Sequence, residues 1–335
     1  MDSTWNFTPT NNYSNNQSYV NWYPTTSHDI EQVKGADLKF RKINHTDMPL
    51  IWEFIQKEFG RTTDFSYGGI LMWVNFFNYE YAILNDTLFI KGTLENDLNK
   101  PAFSLPIGKM SLAESVRVLK EYCNRINIPL YFSAVPQYAI KEFEKLNPIS
   151  IEPLGDWSDY LYDAESLATL QGKKNGKKRN HVNKFTSQFP NWKLIPMTPD
   201  NATEALSFMD KFDLEGDSTE MAVQERKLTR FLIDCISERD DKLIGVFLTT
   251  GDEVCAFSIG DIKHDTFFVH VEKALREFPG SYEMINKAFA EYITSKYPKI
   301  KYINREDDAG DEGLRKAKQS YHPLTLLEKF NVRFS

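Results

Sequence analysis

Three cysteines in 335 residues, Cys123, Cys235 and Cys255, are too few and too far apart for a disulfide framework or a thiolate metal site. They read as reduced, buried thiols, and with no histidine pair to add ligands the expectation is no metal. Long apolar runs are missing as well. The longest, "ILMWVNFF" at Ile70–Phe77, is interrupted by Asn75 and falls far short of a membrane span. The start has neither the basic nor the apolar region of a secretory signal. A cytoplasmic protein without an integral membrane segment is therefore expected. An overall excess of positive charge is also lacking, since the net charge is −7. Residues 1–150 carry 14 basic and 16 acidic side chains and 151–335 carry 26 and 31, so neither half is basic. Adhesion of the whole surface to nucleic acid or membrane is thereby excluded.

Against that background one stretch stands out. "GKKNGKKRNHVNKF", Gly172–Phe185, places Lys173, Lys174, Lys177, Lys178, Arg179 and Lys184 within fourteen residues. On a helix starting near Lys177, Lys177, His181 and Lys184 share one stripe, while Lys178 falls inside the apolar arc of Val182, Phe185 and Phe189. A solvated helix face is the plain alternative. Lysine and arginine neutralise phosphates, and Asn180 and Asn183 add neutral hydrogen bonds. Lys173, Lys177, Lys178, Arg179, Asn180, His181 and Lys184 are thus candidates for gripping tRNA or a nucleotide phosphate.

Residues 1–35 are rich in Asn, Ser and Thr and read as a flexible tail. From Ala36 the chain becomes periodic, and one order of elements occurs twice. A strand and helices lead into an antiparallel hairpin or meander, followed by helix, strand, helix and strand. In the first pass Ser111 and Glu114 form a capping box, and Leu112, Val116, Leu119, Cys123 and Ile126 a helical stripe. In the second pass "KLIGVFLTT", "EVCAFSIGDI" and "TFFVHVEKA" form the meander. This is the order of the acyltransferase fold called GNAT-like. The fold class is α+β, with two tandem GNAT-like domains, each a mixed, mostly antiparallel sheet flanked by helices. Residues 36–160 form the first and 161–335 the second, which includes the basic junction helix. A cleft between domains is a usual place for a ligand.

Three stretches, "DYLYDAESLATLQGKKNGKKRNHVNKF", "FVHVEKALREFPGSYEMIN" and "YINREDDAGDEGLRKAKQSYHP", resemble a soluble bacterial family of unassigned function. That family is similar to the C-terminal domain of phosphatidylglycerol lysyltransferases, and the resemblance covers about Leu38 to Val332. It implies acyl-transfer chemistry. In the lysyltransferases the donor is aminoacyl-tRNA and the acceptor a lipid headgroup. This chain lacks their multi-span membrane region and carries the charged "NREDD", so the acceptor here is expected to be another amine or hydroxyl, borne by a small molecule.

Acyl transfer needs a base for the nucleophile's proton and donors for the oxyanion. Strict alternation along "TFFVHVEKA" puts Phe268, His270 and Glu272 on one face, on the strand where this fold opens its acyl site. Glu272 and His270 are the candidate bases. In "YINREDD", Arg305 with Glu306 and Asp307 can hold an amino-acid-like group, with Asn304 beside them. A salt-bridge network with Arg315 and Lys318 is the structural alternative. Tyr321 is a candidate proton donor, as tyrosines are in the wider fold. "REFPGSYEMIN" stands where coenzyme-A-dependent relatives cradle a pyrophosphate on glycine-rich backbone. It offers Gly280 and Tyr282, but Pro279 has no N–H to donate. No cofactor is required on this reading. The donor is aminoacyl-tRNA or a coenzyme A thioester, with the incomplete cradle favouring the former. A non-catalytic RNA- or ligand-binding module is the remaining alternative.

Overall fold

The computed structural model describes residues 34–215 and 220–335. The tail expected over 1–35 lies almost wholly outside them. Gly35 is already docked, its N–H donating to Glu121 Oε2 at 2.8 Å.

The first half of the chain opens with β1 (Arg41–Lys42), α1 (Met48–Ile55) and α2 (Tyr67–Trp73). The strands β2 (Glu80–Leu84), β3 (Thr87–Leu94), β4 (Asp97–Phe103) and β5 (Ile107–Gly108) follow. Then come α3 (Leu112–Ile126), β6 (Leu130–Pro136), α4 (Gln137–Glu144) and β7 (Ser150–Pro153). The capping box at α3 forms as expected, with Ser111 Oγ accepting from the Glu114 N–H. Leu112, Val116, Leu119 and Cys123 are buried along it, while Ile126 in its last turn is exposed.

The second half begins with β8 (Asp159–Asp163), α5 (Ala164–Thr169) and the basic helix α6 (Gly176–Gln188). Next are β9 (Trp192–Pro196), α7 (Glu204–Glu215) and α8 (Glu220–Ser237). The meander is β10 (Leu243–Thr250), β11 (Glu253–Lys263) and β12 (Thr266–Ala274). The chain then runs through α9 (Ser281–Lys296), β13 (Tyr302–Asn304), α10 (Glu312–Gln319), β14 (Thr325–Leu327) and β15 (Lys329–Phe334).

Two sheets result. The first has the order β1-β2-β3-β4-β6-β15-β7, with β5 also against β3; the second has β14-β8-β13-β12-β11-β10-β9. Each is antiparallel except at one junction. β4 meets β6 in parallel only at Phe103 and Phe132, and β12 meets β13 in parallel only from Thr266 to Phe268. Beyond those residues the two strands separate, which is the splayed pair of a GNAT-like sheet. The two tandem units expected from the repeat are present.

Their boundary differs from the expected division at 160/161, which falls inside β8. "DYLYD" follows β7 in the chain but lies between β13 and β14 of the second sheet. "LTLLEKFNV" is extended in two parts that break at Glu328. Its last part, β15, lies between β6 and β7 of the first sheet. Each unit lends its final strand to the other. The exchange is held by burial: Val332 and Phe334 are inside the first core, with Phe334 edge-on to Phe132.

Helices cover both faces of the second sheet. α9 packs on β10, β11 and β12 with α5 and α6 beside it, while α2, α7 and α8 cover the opposite face. Because α2 comes from the first half, that opposite face is also the contact between units. Lys263 and Glu58 pair across it at 2.6 Å, both almost fully buried.

Candidate active site

The gap between β12 and β13 decides which expected residues meet. β12 carries a β-bulge: Ile259 pairs with Val271 and Gly260 with Val269, leaving His270 as the extra residue. Alternation restarts after it. Glu272 therefore shares a face with Phe267 and Val269, and not with His270 as strict alternation implied. The two candidate bases sit on opposite sides of the sheet.

On the α9 side, Arg305 Nη2 donates to Glu272 Oε1 at 2.7 Å, and Asn286 Nδ2 donates to Oε2 at 3.1 Å. The Arg305 guanidinium lies over the Tyr321 ring, 4.9 Å from its centroid, and 5.8 Å from that of Tyr162. Lys178 reaches the same ring from α6, at 4.1 Å, and lies 3.3 Å from Glu283. Lys178, offered as a phosphate ligand, instead turns inward from the basic run, as its place in the apolar arc implied. Glu272 and Arg305 are 11% and 12% exposed, so their pair is strongly desolvated yet not sealed. Burial pushes the Tyr321 phenol well above its ordinary range, although the Arg305 charge opposes this, so the group stays protonated. Beside these groups is a small recess lined by Leu167, Phe267, Val269, Glu272, Asn286 and Phe289 among others.

On the opposite side His270 is fully enclosed. One ring nitrogen is 2.5 Å from Asp261 and the other 2.8 Å from Glu306. Burial alone would depress this imidazole, but its bonds to Asp261 and Glu306 push it up to about 10. The Gly68 Cα of α2 lies so close that a Cβ there would meet the ring at 2.5 Å. A histidine held charged with both nitrogens engaged cannot exchange protons with substrate, so His270 is corrected from candidate base to a link between β11 and the turn after β13, with α2 packed on its ring.

Asn304, Glu306 and Asp307 leave the site as well, because alternation at the end of β13 and the left-handed Glu306 (φ 58°) turn them away from Arg305. Asn304 is buried, donating to the Arg61 carbonyl and Asp159 and accepting from Thr63 and the Glu306 N–H. Asp307 accepts from the Ala309 N–H, and burial beside Asp159 lifts it to about 7 although Lys329 opposes. The salt-bridge alternative holds in part: Arg315 pairs with Asp308 and Asp156.

The basic run divides. Arg179 donates to the carbonyls of Leu170 and Gly172, closing the end of α5. Lys173, Lys174, Lys177, Asn180, His181 and Lys184 are exposed. Gly280, at φ 91°, is packed so tightly on α6 that a Cβ would lie 2.6 Å from the His181 carbonyl oxygen. The N-terminus of α9 is thus covered by α6, and Tyr282 beside it is half exposed.

The splayed pair of the first sheet opens a second recess, lined by Asp64, Tyr79, Glu95, Ser104 and Ser133 among others. Ser133 Oγ contacts Glu95 and also lies 2.9 Å from Asn331 Oδ1. One hydroxyl proton cannot serve both acceptors. The network closes if Glu95 is protonated and donates to Ser133, which donates onward to Asn331. Burial and the nearby Asp64 charge accordingly lift Glu95 to about 7. Its proton is held in both folded and unfolded states below the ordinary 4.5, and only in the folded state up to about 7. Stability therefore falls as pH rises through that window. Glu95→Gln should flatten the fall, as read by urea melts at about pH 5 and about pH 7.5. An unchanged slope would locate the titration elsewhere.

Residues 57–333 match the family described as phosphatidylglycerol lysyltransferase, C-terminal. The chain belongs to this family. Among solved structures, a conserved protein of unknown function from Bacteroides thetaiotaomicron is 32% identical with a TM-score of 0.80, covering 89% of this chain and 100% of that one. The C-terminal domain of a putative lysylphosphatidylglycerol synthetase from Agrobacterium fabrum is 9% identical with a TM-score of 0.61, over 87% of this chain and 92% of that one. L-PGS from Bacillus licheniformis gives 12% and 0.60 over the same shares. These last two likenesses establish the shared fold. An uncharacterised protein of Mycoplasmoides gallisepticum is 24% identical over 185 residues, 52% of this chain. The chain spans 56% of that curated relative's length. Membership of the lysyltransferase C-terminal family brings an acyltransferase fold. Among the described residues, no helix is long and apolar enough to cross a membrane.

Asn286, Glu283 and Asp261 were not singled out by sequence reasoning. Asn286 had one usable signal: a lone amide beside Ile285 and Phe289, on the buried side of α9.

Proposed function

We propose that this chain transfers an aminoacyl group from tRNA to an amine or hydroxyl acceptor at the β12–β13 gap. One observation carries the reading. α6 covers the N-terminus of α9, where a coenzyme A pyrophosphate would sit, and delivers Lys178 to the Glu272–Arg305 pair. The same helix presents Lys177 and Lys184 outward, with Lys173 exposed in the turn before it, a phosphate grip on a chain whose net charge is −7.

The roles follow from geometry. Glu272, directly or through a water, takes the proton from the acceptor nucleophile. Arg305 keeps a second guanidinium nitrogen for the carbonyl oxygen, whose charge grows as the tetrahedral intermediate forms. Tyr321 gives its proton to the departing ribose oxygen, and Lys178 and Arg305 stand ready over its ring to stabilise the phenolate left behind.

Replacing Lys173, Lys177 and Lys184 together by alanine tests the grip without disturbing Arg179, which holds carbonyls, or Lys178. Binding to tRNA should weaken, and the slope of log Kd against log salt should fall by about 2–3. Filter binding at several salt concentrations measures both. Wild-type binding that ignores salt, or salt-sensitive binding of coenzyme A instead, would discard the tRNA reading.

A further inference from the structure

Among the described residues the first sheet ends on β1 and β7, and the second on β9 and β14. Exposed sheet edges are usually guarded by charge or proline against pairing with another chain. Three of these are. β1 is Arg41-Lys42, β7 ends in Glu152-Pro153, and β9 carries Lys193 and Pro196. β14, Thr325-Leu326-Leu327, has neither device, and Leu326 and the adjacent Leu324 are 42% and 57% exposed.

The backbone of β14 is also turned outward to bond. Tyr160 lies opposite Leu326 in the ladder. It donates its N–H to the Glu306 carbonyl and accepts the Arg305 N–H, both on the β13 side. Strand alternation then faces the Leu326 N–H and C=O away from β8, toward the open edge. That C=O accepts the neighbouring Thr325 hydroxyl at 3.2 Å and keeps a second lone pair.

A residue with both backbone groups outward can exchange two hydrogen bonds with its own counterpart across a two-fold axis. The axis of such an antiparallel pair stands perpendicular to the sheet, so each face meets the same face of the other copy. On the face of Tyr160 and Tyr162 lies α10, where Tyr162 Oη donates to the Lys318 carbonyl at 2.8 Å. Leu326, opposite Tyr160, shares that face. Leu314, one turn before Lys318 on α10, is 42% exposed as well. α10 carries Glu312 and Lys316, both largely exposed. Antiparallel copies of the helix set Glu312 of each toward Lys316 of the other, so the surface is complementary to itself in charge.

We propose that two copies of this chain associate through β14, antiparallel about Leu326, and join their second sheets into one. Leu314, Leu324 and Leu326 of each copy meet beside the axis. The pairing goes beyond the transferase reading and does not depend on it. α6 lies on the same side of the sheet as α10, so both basic runs come to one face of the joined sheet.

Sedimentation velocity on the full chain, from about 1 to 200 μM, should show a reversible monomer–dimer equilibrium. So small a contact implies a dissociation constant on the order of 10 μM. Leu326→Lys sets a charge on the edge and should weaken the dimer about tenfold or more. Leu324→Lys should do the same, and it carries the test if the first variant does not melt cooperatively. A monomer throughout that range, which leaves the edge to some other partner, overturns the proposal. So does an assembly larger than a dimer, or a dimer that tolerates the charge at both positions.

Discussion

Glu272→Gln should lower acyl transfer by about 10²–10⁴-fold while the protein still folds and still binds its donor. Glutamine keeps the length of the side chain and one carbonyl oxygen for Arg305 Nη2. What it loses is the capacity to accept a proton. The change also leaves the Arg305 charge without its counterion in a largely buried place, so a melting point lower by several degrees is expected. Circular dichroism melts separate that cost from the catalytic loss, and donor affinity separates it from binding. Transfer at the wild-type rate in a folded variant would remove Glu272 from the chemistry.

Lys329→Met should cost about 3–5 kcal/mol, a large part of the stability of a typical protein. Lys329 is 3% exposed and lies 2.8 Å from both Asp64 and Asp159. Burial alone would strip its proton, but Asp159, Asp64 and Asp307 hold it. Asp159 is itself fully buried and accepts from the Thr63 N–H at 2.6 Å and from Asn304 at 2.9 Å. Without the lysine, two carboxylates remain in a place where charge is poorly solvated. The Asp64 carboxyl, already pushed up by burial, then loses the cation that opposes this, so the damage should shrink at about pH 5, where its protonation relieves the site. Adding Asp64→Asn should restore part of the loss. Because Lys329 begins the strand that crosses into the first sheet while Asp159 begins the one that crosses into the second, both units should melt in one transition. Denaturant titration at two pH values checks the magnitude and its direction. A loss below about 1 kcal/mol would show that the buried network contributes little net stability.

That exchange of strands is what the sequence could not show. "DYLYD" and "LTLLEKFNV" are both extended. Nothing in a two-residue alternation says which sheet a strand joins, since Leu161 and Val332 would be buried equally well in either core. The repeat of element order was legible because each unit spells its meander and helices in apolar spacing. At the site, Glu272, Arg305, Tyr321 and Lys178 were legible as chemical types near an expected gap. His270 was misplaced because a bulge inserts one residue without changing composition, and every side chain after it changes face. Glu306 and Asp307 were grouped with Arg305 by proximity in the chain, whereas the left-handed turn at Glu306 turns them away from it, Glu306 to His270 on the far side of the sheet. Asn286 was hidden by its helix, whose register against β12 only the packed structure fixes.

The central claim is that the β12–β13 gap moves an aminoacyl group from tRNA to a nucleophile. Hydroxylamine is a small amine that can stand in for the unknown acceptor, and the aminoacyl hydroxamate it forms can be quantified directly. Purified protein should accelerate hydroxamate formation from aminoacyl-tRNA and not from acetyl coenzyme A, with the acceleration lost in Glu272→Gln. Acceleration with acetyl coenzyme A alone, or an equal rate in the Glu272→Gln variant, would contradict the account.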